Sequence, residues 1–174
     1  MLRTRVFTAL ILTGITVGRA SAQQYQPTFP DAAGPQLIAV YISSTWCIGN
    51  RAPGLHEAVD SLKLILQERA KASGRQFRAV GVALDWSPDS GLAYLKEFGD
   101  FDELTVGRNW FNLAVERLVW ADTAAPASIP QVLVYEQTIT PAKTRVGFSR
   151  SRVVKRVVGG PQIVEWVRAG ARIP

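Results

Sequence analysis

The chain has 174 residues, of which 47% are hydrophobic and 20% charged, and its formal net charge is +6. This composition is globular, and the length predicts one domain rather than two. Because the chain has a single cysteine and a single histidine, an internal disulfide framework, a multi-histidine metal site and any two-cysteine metal motif are excluded. The composition indicates no function.

The N-terminal residues have the pattern of a secretory signal peptide. Arg3 and Arg5 precede an apolar stretch at residues 6–18, and Ala20-Ser21-Ala22 is a small-x-small cleavage site. The alternative is an uncleaved membrane anchor, but a helical span needs ~20 apolar residues and this stretch is shorter. We therefore expect residues 1–22 to be removed and the protein to be exported, to the periplasm or the cell exterior.

The first half of the remaining chain predicts a strand–helix–strand unit. Residues 23–36, rich in Gln and Pro, are expected to form an extended leader, and residues 37–174 the folded domain. Residues 37–42 are a continuous apolar run, typical of a strand buried on both faces. Apolar residues at helical spacing from Leu55 predict a helix that ends near Gly74, and residues 77–84 predict a second buried strand.

The second half continues the alternation and ends in a hairpin and a helix. Ser87 is a good N-cap and Pro88 a good first residue for a helix that ends at Gly99. The later predicted elements are a helix at residues 110–118, strands at residues 132–135 and 153–158, and a last helix from Pro161. This order predicts an α/β sandwich with a mixed central β-sheet flanked by helices.

Charge is distributed unevenly along the chain. Residues 23–142 carry 9 basic and 13 acidic side chains, whereas residues 143–174 carry 8 basic side chains and one acidic residue, Glu165. Such asymmetry marks a nucleic-acid patch, a membrane-surface patch or a solvated strand face. The basic residues lie in alternating sequence without interleaved stacking aromatics, which favours the solvated strand face. No nucleic-acid partner is predicted, and a membrane partner only if the signal peptide stays uncleaved.

The strongest chemical signal is Cys47, which lies between the first predicted strand and the first predicted helix. Unpaired backbone N–H groups and the positive end of the helix dipole favour a thiolate at a helix N-terminus. The alternative is an inert buried cysteine, the commoner fate of free cysteines. The position between strand and helix favours a reactive thiol.

Four segments, in this order, resemble the thioredoxin-like superfamily, in particular its exported TlpA- and ResA-like branch. Residues 37–50, which end in Trp46-Cys47-Ile48-Gly49-Asn50, are similar to the family's first core strand and its W-C-x-x-C motif. Residues 82–99 look like the strand–helix insertion of that branch. Residues 128–134 resemble its cis-proline loop, and residues 153–167 its terminal strand, glycine and helix.

The resemblance implies a thioredoxin-like three-layer sandwich with a site around Cys47. Cys47 is then the nucleophile, and Trp46, Asn50, Ile129 and Pro130 are the substrate-binding residues. It further implies a cis Ile129–Pro130 bond close to Cys47. The expected partner is a protein or small molecule that carries a thiol or a disulfide, and a disulfide-linked homodimer is a further expectation.

The chain departs from the family pattern at several positions. Asn50 stands where the second cysteine is expected, and that cysteine resolves the mixed disulfide by intramolecular attack. Pro53 lies nearer to Cys47 than the usual helix-kinking proline. Residues 136–152 form a longer insertion than the expected tight turn. Peroxidase activity is disfavoured, since Val40 and Ser44 replace the Pro and Thr of peroxiredoxins.

Other candidate sites are weaker. His56 lies on the first predicted helix out of register with Cys47, so a Cys–His dyad is not expected. Asp100, Asp102 and Glu103 match no calcium-loop spacing and predict a solvated turn. No P-loop or dinucleotide glycine fingerprint occurs, and no cofactor or metal is predicted.

Two functions of different class remain open. In the first, the protein exchanges thiols and disulfides through Cys47, and an external thiol resolves the mixed disulfide. In the second, it is a thioredoxin-fold binding or chaperone-like module, whose groove around Trp46 and Ile129-Pro130 holds an extended peptide without turnover. Whether the protein is an enzyme stays open, and Trp46-Cys47 favours the first reading.

Overall fold

The first strand, β1 (Gly34–Ser43), is the centre of the molecule, whose computed structural model describes residues 33–122 and 127–174. Its residues from Leu37 to Ser43 are buried, as expected for a strand that is covered on both faces. Since β1 begins at Gly34, the last residues of the predicted 23–36 leader belong to the sheet. Residues 1–22 lie outside the described residues.

The remaining elements follow in the predicted order, with additions. The further strands are β2 (Gln76–Ala83), β3 (Glu103–Val106), β4 (Gln131–Pro141), β5 (Val146–Phe148) and β6 (Arg152–Val158). The helices are α1 (Leu55–Ala72), α2 (Pro88–Lys96), α3 (Leu113–Val115) and α4 (Gly160–Arg168). Ser87 caps α2 by accepting a hydrogen bond from the backbone N–H of Ser90, and Pro88 is its first residue, as the sequence predicted.

The sheet is mixed and has the order β3-β2-β1-β4-β5, with β6 also paired to β4. β1, β2 and β3 are parallel to one another, whereas β4 is antiparallel to β1 and to β6. This arrangement, a strand–helix–strand unit joined to a closing hairpin, confirms the predicted thioredoxin-like α/β fold.

Helices cover both faces of the sheet, which makes three layers. On one face, residues of α1, α2 and α4 pack with side chains of β1 such as Leu37 and Tyr41. On the other face, Ile38, Val40 and Ile42 pack with Val115 and Val119. The alternation of β1 side chains between two apolar clusters explains why its sequence is continuously hydrophobic.

Two local predictions are confirmed only in part. The predicted helix at residues 110–118 is an irregular segment, made of a 3-10 turn at Asn109–Phe111, the single turn of α3 and a π-helical turn at Glu116–Trp120. The predicted solvated turn is exposed at Asp100 and Asp102, but Glu103 already belongs to the edge strand β3. The carboxylate of Asp102 accepts a hydrogen bond from the backbone N–H of Ala79.

The insertion at residues 136–152 extends the sheet. β4 continues to Pro141, and β5 folds back to pair with its last residues. At the base of this extension, Glu136 accepts hydrogen bonds from Arg75 and Arg152. The hydrogen bonds from Arg152, and then from Arg75, hold the pKa of the Glu136 carboxyl below its usual range.

The prediction of a solvated basic strand face is wrong for Arg156. Its guanidinium donates to Asp122 Oδ2 at 3.0 Å, to Gln131 Oε1 at 2.6 Å and to the backbone O of Leu118 at 3.2 Å. Its side chain is largely buried. The alternating sequence of a strand cannot distinguish an exposed arginine from one that connects the sheet to the segment packed on it.

None of the helices in residues 33–122 and 127–174 is long and apolar enough to cross a membrane.

Candidate active site

The predicted site residues meet at one edge of the sheet. β1 ends at Ser43 and β2 at Ala83, and because the two strands are parallel, the loops that follow them emerge at the same edge. β4 is antiparallel to β1, so Ile129 and Pro130, which precede it, lie at this edge as well. The fold therefore brings residues 44–50 and residues 128–130 together.

Cys47 is buried, and its thiol faces the loop before β4. The side chain is 8% exposed, and Sγ lies 3.3 Å from the backbone O of Ile129, to which the thiol donates a hydrogen bond. A donated hydrogen bond requires the protonated sulfur. The thiol therefore has to lose its proton, and with it this hydrogen bond, before the sulfur can act as a nucleophile.

The helix N-terminus at Cys47 is that of a short 3-10 turn and not that of α1. Cys47 precedes a 3-10 turn at Ile48–Arg51, and α1 begins only at Leu55, after Pro53 and Gly54. Pro53 has no N–H and Gly54 has a positive φ of 78°, so helical geometry cannot run from Cys47 into α1. Cys47 is therefore outside the first turn of α1.

The Ile129–Pro130 peptide bond is cis, and Pro130 packs against the Cys47 turn. A Cβ placed on Gly49 would lie 2.4 Å from Cδ of Pro130 and 3.5 Å from Sγ of Cys47. Gly49 is in turn covered by Gly160, where a Cβ would lie 2.2 Å from the backbone O of Gly49. Two glycines thus permit the close approach of three chain segments at the thiol.

The side chain of Asn50 is engaged inside the protein. Its Oδ1 accepts from Ser43 Oγ at 2.6 Å and from the Tyr41 hydroxyl at 3.4 Å, and its Nδ2 donates to the backbone O of Ser44. The same carbonyl of Ser44 accepts from the backbone N–H of Cys47. Asn50 therefore ties the Cys47 turn to the end of β1.

A buried pair of tyrosines lies beneath this turn. The hydroxyls of Tyr41 and Tyr94 are 3.0 Å apart, and Phe98 packs on both rings. Burial raises the pKa of the Tyr41 phenol above its usual range, and burial raises the pKa of Tyr94 to about 12. Both phenols are therefore neutral at physiological pH and hydrogen-bond as hydroxyl groups.

Asp85 fixes the start of the turn. It is buried at the end of β2, and its carboxylate accepts hydrogen bonds from both the backbone N–H and the hydroxyl of Thr45. Because the backbone N–H of Asn109 donates to the carbonyl O of Asp85, the segment after β3 is attached to the same point. Asp85 thus orders the backbone that leads into Trp46 and Cys47.

Gln131 and Arg156 hold residues 128–131, the loop that faces Cys47. Gln131 is fully buried directly after Pro130, and its Nε2 donates to the backbone O of Ser128 at 2.8 Å. Its Oε1 is the acceptor of the Arg156 guanidinium. These contacts fix residues 128–131 from inside the protein.

The surface around the thiol is apolar. Trp46 is 53% exposed and Ile48 78% exposed on either side of Cys47. Trp86 and Phe111 are also exposed, and their ring centroids lie 6.2 Å apart. Exposed apolar residues around a site are typical of surfaces that bind another molecule.

The other candidate residues do not join this site. His56 Nε2 lies 3.7 Å from Glu97 Oε2, and the imidazole packs against the ring of Phe98. Residues 33–122 and 127–174 contain no cluster of metal-ligating side chains.

Several residues of the site carried no signal in the sequence. Tyr94, Asp85 and Arg156 are remote from Cys47 along the chain, and each has an ordinary alternative as a core or surface residue. Gly49 was part of the motif, but only the packing of Pro130 on its Cα explains why a glycine is required there.

Replacement of Cys47 by serine should leave the fold nearly intact. The serine hydroxyl can donate to the Ile129 carbonyl in place of the thiol, so no buried polar group loses its partner. We expect the midpoint of thermal unfolding to change by less than about 3 °C. Cys47→Ala, which removes the donor, is the matched control. A fall of about 10 °C for the serine variant would instead mark Cys47 as a packing residue.

Comparison with known proteins finds likeness only among solved structures. No protein-family model and no curated protein matches the sequence. A secreted thiol-disulfide isomerase from Corynebacterium glutamicum has 20% identity and a TM-score of 0.37, over 57% of this chain and 54% of that one. The chain thus spans about half the length of that protein.

Two other structures are similar over more of their length. A thioredoxin-family thiol:disulfide interchange protein from Chlorobium tepidum has 14% identity and a TM-score of 0.35, over 79% of this chain and 81% of that one. A secreted disulfide oxidoreductase from Mycobacterium tuberculosis has 15% identity and a TM-score of 0.34, over 76% and 81%. Similarity at this level carries no information about activity, and the sheet order itself defines the fold of this chain.

Proposed function

We propose that this protein is an exported, monothiol thioredoxin-like protein that exchanges thiols and disulfides through Cys47. The observation that carries the proposal is the contact between Cys47 Sγ and the Ile129 carbonyl, 3.3 Å apart, beside Pro130. Under this proposal, an extended chain docked along residues 128–130 would meet the thiol. Trp46 and Ile48 supply exposed apolar surface on either side.

The exchange step needs no cofactor, because each bond that forms is matched by a bond that breaks. The Cys47 thiol loses its proton to solvent, and the thiolate attacks one sulfur of a partner disulfide. A bond forms between Cys47 Sγ and that sulfur, the partner's S–S bond breaks, and the second sulfur leaves as a thiolate that takes up a proton. Asn50 offers no thiol to reverse this bond, so an external thiol has to attack the mixed disulfide and release Cys47.

The same chemistry permits a disulfide-linked homodimer. A second copy of Cys47 attacking the mixed disulfide would release the partner and join two chains.

The predicted substrate-binding residues have two different roles under this proposal. Trp46, Ile129 and Pro130 border the incoming chain, whereas the hydrogen bonds of Asn50 to Ser43 and Ser44 support a role in shaping the turn.

Two observations favour a second candidate function, a binding or chaperone-like module without turnover. Cys47 is 8% exposed and is held as a hydrogen-bond donor, whereas an exchange nucleophile has to reach its partner. The exposed aromatic side chains at the same edge would bind an extended apolar segment without any bond to sulfur.

Trapping the mixed disulfide tests which function is correct. The wild-type protein, incubated with oxidised glutathione, should accumulate one glutathione adduct per chain and lose it on addition of a reductant. Cys47→Ser is the control, because it leaves the chain without a thiol. Alkylation with iodoacetamide across a pH series reports the fraction of reactive thiolate in the folded protein. A thiol that forms no adduct and is alkylated only in denaturant would replace the exchange function with the binding module.

A further inference from the structure

The hairpin built from the end of β4, β5 and the start of β6 projects from the sheet as an ordered structure. We call residues 139–152 the basic hairpin. β5 pairs with Ile139–Pro141 of β4, and the turn between them is closed by a hydrogen bond from the backbone N–H of Ala142 to the carbonyl O of Arg145. Thr138 and Ser149 exchange two further hydrogen bonds at the base. The positions of its side chains are thus set by the sheet.

The charged side chains of this hairpin are all basic, and some of them are not paired with an acidic residue. Residues 137–164 contain six Lys or Arg residues and no Asp or Glu. Arg152 and Arg156 are paired with acidic residues that lie outside this stretch. Lys143, Arg145 and Arg150 are exposed and form no ion pair within the described residues. The hairpin therefore presents at least three cations to solvent.

An exposed aromatic residue lies among these cations. Phe148 in β5 is 61% exposed, with Arg145 and Arg150 near it in sequence and Val153 exposed at the start of β6. Because the sequence places no acidic residue in this stretch, the surface combines positive charge with an apolar side chain that is free to leave water. This combination is typical of segments that lie in the headgroup region of an anionic bilayer.

The hairpin is remote from Cys47. Gly34, the first residue of β1, pairs with Ile139 at the base of the hairpin, so the hairpin lies at the N-terminal end of β1. Cys47 follows the other end of β1, a strand of 10 residues and therefore on the order of 30 Å long. The hairpin and the thiol lie at opposite edges of the sheet.

We propose that the basic hairpin is a docking surface for anionic phospholipid membranes, through Lys143, Arg145, Arg150 and Phe148. The hairpin contacts the bilayer next to the point where the chain enters the fold, and the Cys47 edge faces away from the lipid. Nucleic acid carries the same sign of charge, but the predicted export places the chain beside lipid. This surface is independent of the chemistry of Cys47.

Vesicle co-sedimentation tests the proposal. The chain that starts at Gln23 is compared with the full chain, since residues 1–22 are the predicted signal peptide. Vesicles of phosphatidylglycerol mixed with phosphatidylcholine should bind the shorter chain, and pure phosphatidylcholine should not. The triple variant K143Q/R145Q/R150Q should bind on the order of 100-fold more weakly, since each cation near an anionic surface contributes about fivefold. Salt should weaken wild-type binding.

A matched variant separates the contribution of the hairpin to binding from that of the net charge of the protein. R51Q/R108Q/R117Q removes the same charge from exposed residues outside the hairpin and should bind vesicles like the wild type. Phe148→Ser should weaken binding while leaving its salt dependence unchanged. Equal loss in both triple variants, or equal binding to neutral vesicles, would overturn the proposal. Binding to duplex DNA without binding to vesicles would assign the hairpin to nucleic acid instead.

Discussion

Replacement of Gly49 by alanine should destabilise the protein by about 3 kcal/mol and displace the loop that covers Cys47. The new Cβ would lie 2.4 Å from Cδ of Pro130, a distance that non-bonded carbon atoms do not adopt. The proline ring is rigid, and Gln131 and Arg156 hold the following backbone from inside the protein. Pro130 and the Cys47 turn therefore have to move apart.

Two measurements together identify this effect. The midpoint of thermal unfolding should fall by roughly 10 °C, and Cys47 should be alkylated faster than in the wild type because the Ile129 carbonyl no longer covers it. Gly147→Ala is the matched control: Gly147 has ordinary backbone geometry, and its new Cβ would meet no atom closer than 3.4 Å. If Gly49→Ala unfolds like the wild type and keeps its slow alkylation, the packing of Pro130 on this turn is not what shields the thiol.

Replacement of Asn50 by cysteine should restore turnover and reduce stability at the same time. The backbone N–H of Asn50 donates to the carbonyl O of Cys47, so the two residues span one tight turn. Residues at the ends of such a turn have Cα atoms less than ~7 Å apart, which approaches the range that a disulfide bridges. The new thiol can then attack the mixed disulfide on Cys47, which the wild type can only lose to an external thiol.

The loss of stability follows from the hydrogen bonds of Asn50. Cysteine cannot replace the bonds to Ser43, Ser44 and Tyr41, and buried polar groups left without partners cost about 1–3 kcal/mol. Asn50→Ala is the control, because it loses the same bonds and gains no thiol. Insulin reduction with excess reductant should be faster with Asn50→Cys than with either wild type or Asn50→Ala. A folded but inactive Asn50→Cys, together with a wild-type thiol that resists alkylation at neutral pH, would contradict the exchange function.

The elements that were predicted correctly are those whose burial shows in the spacing of consecutive apolar residues. Residues 37–42 are apolar at every position because both faces of β1 are covered, and the helical spacing from Leu55 reflects one buried face of α1. The edge strand β3 was not predicted, since its four residues are exposed or half-buried and show no apolar run. Residues 110–118 were assigned to a regular helix because their apolar content does not reveal the turns that interrupt it.

By itself the sequence determined the fold class and predicted a candidate site at Cys47. The order of apolar runs is a local feature that results from the burial of a few consecutive residues, whereas the roles of Cys47 and Pro130 were implied by the resemblance to the thioredoxin-like superfamily. Only the tertiary structure decided what surrounds Cys47. The Ile129 carbonyl, Tyr94, Asp85 and Arg156 reach the site across the sheet, from positions at least 38 residues away. Such contacts depend on how strands pair and layers pack, and no local pattern records them.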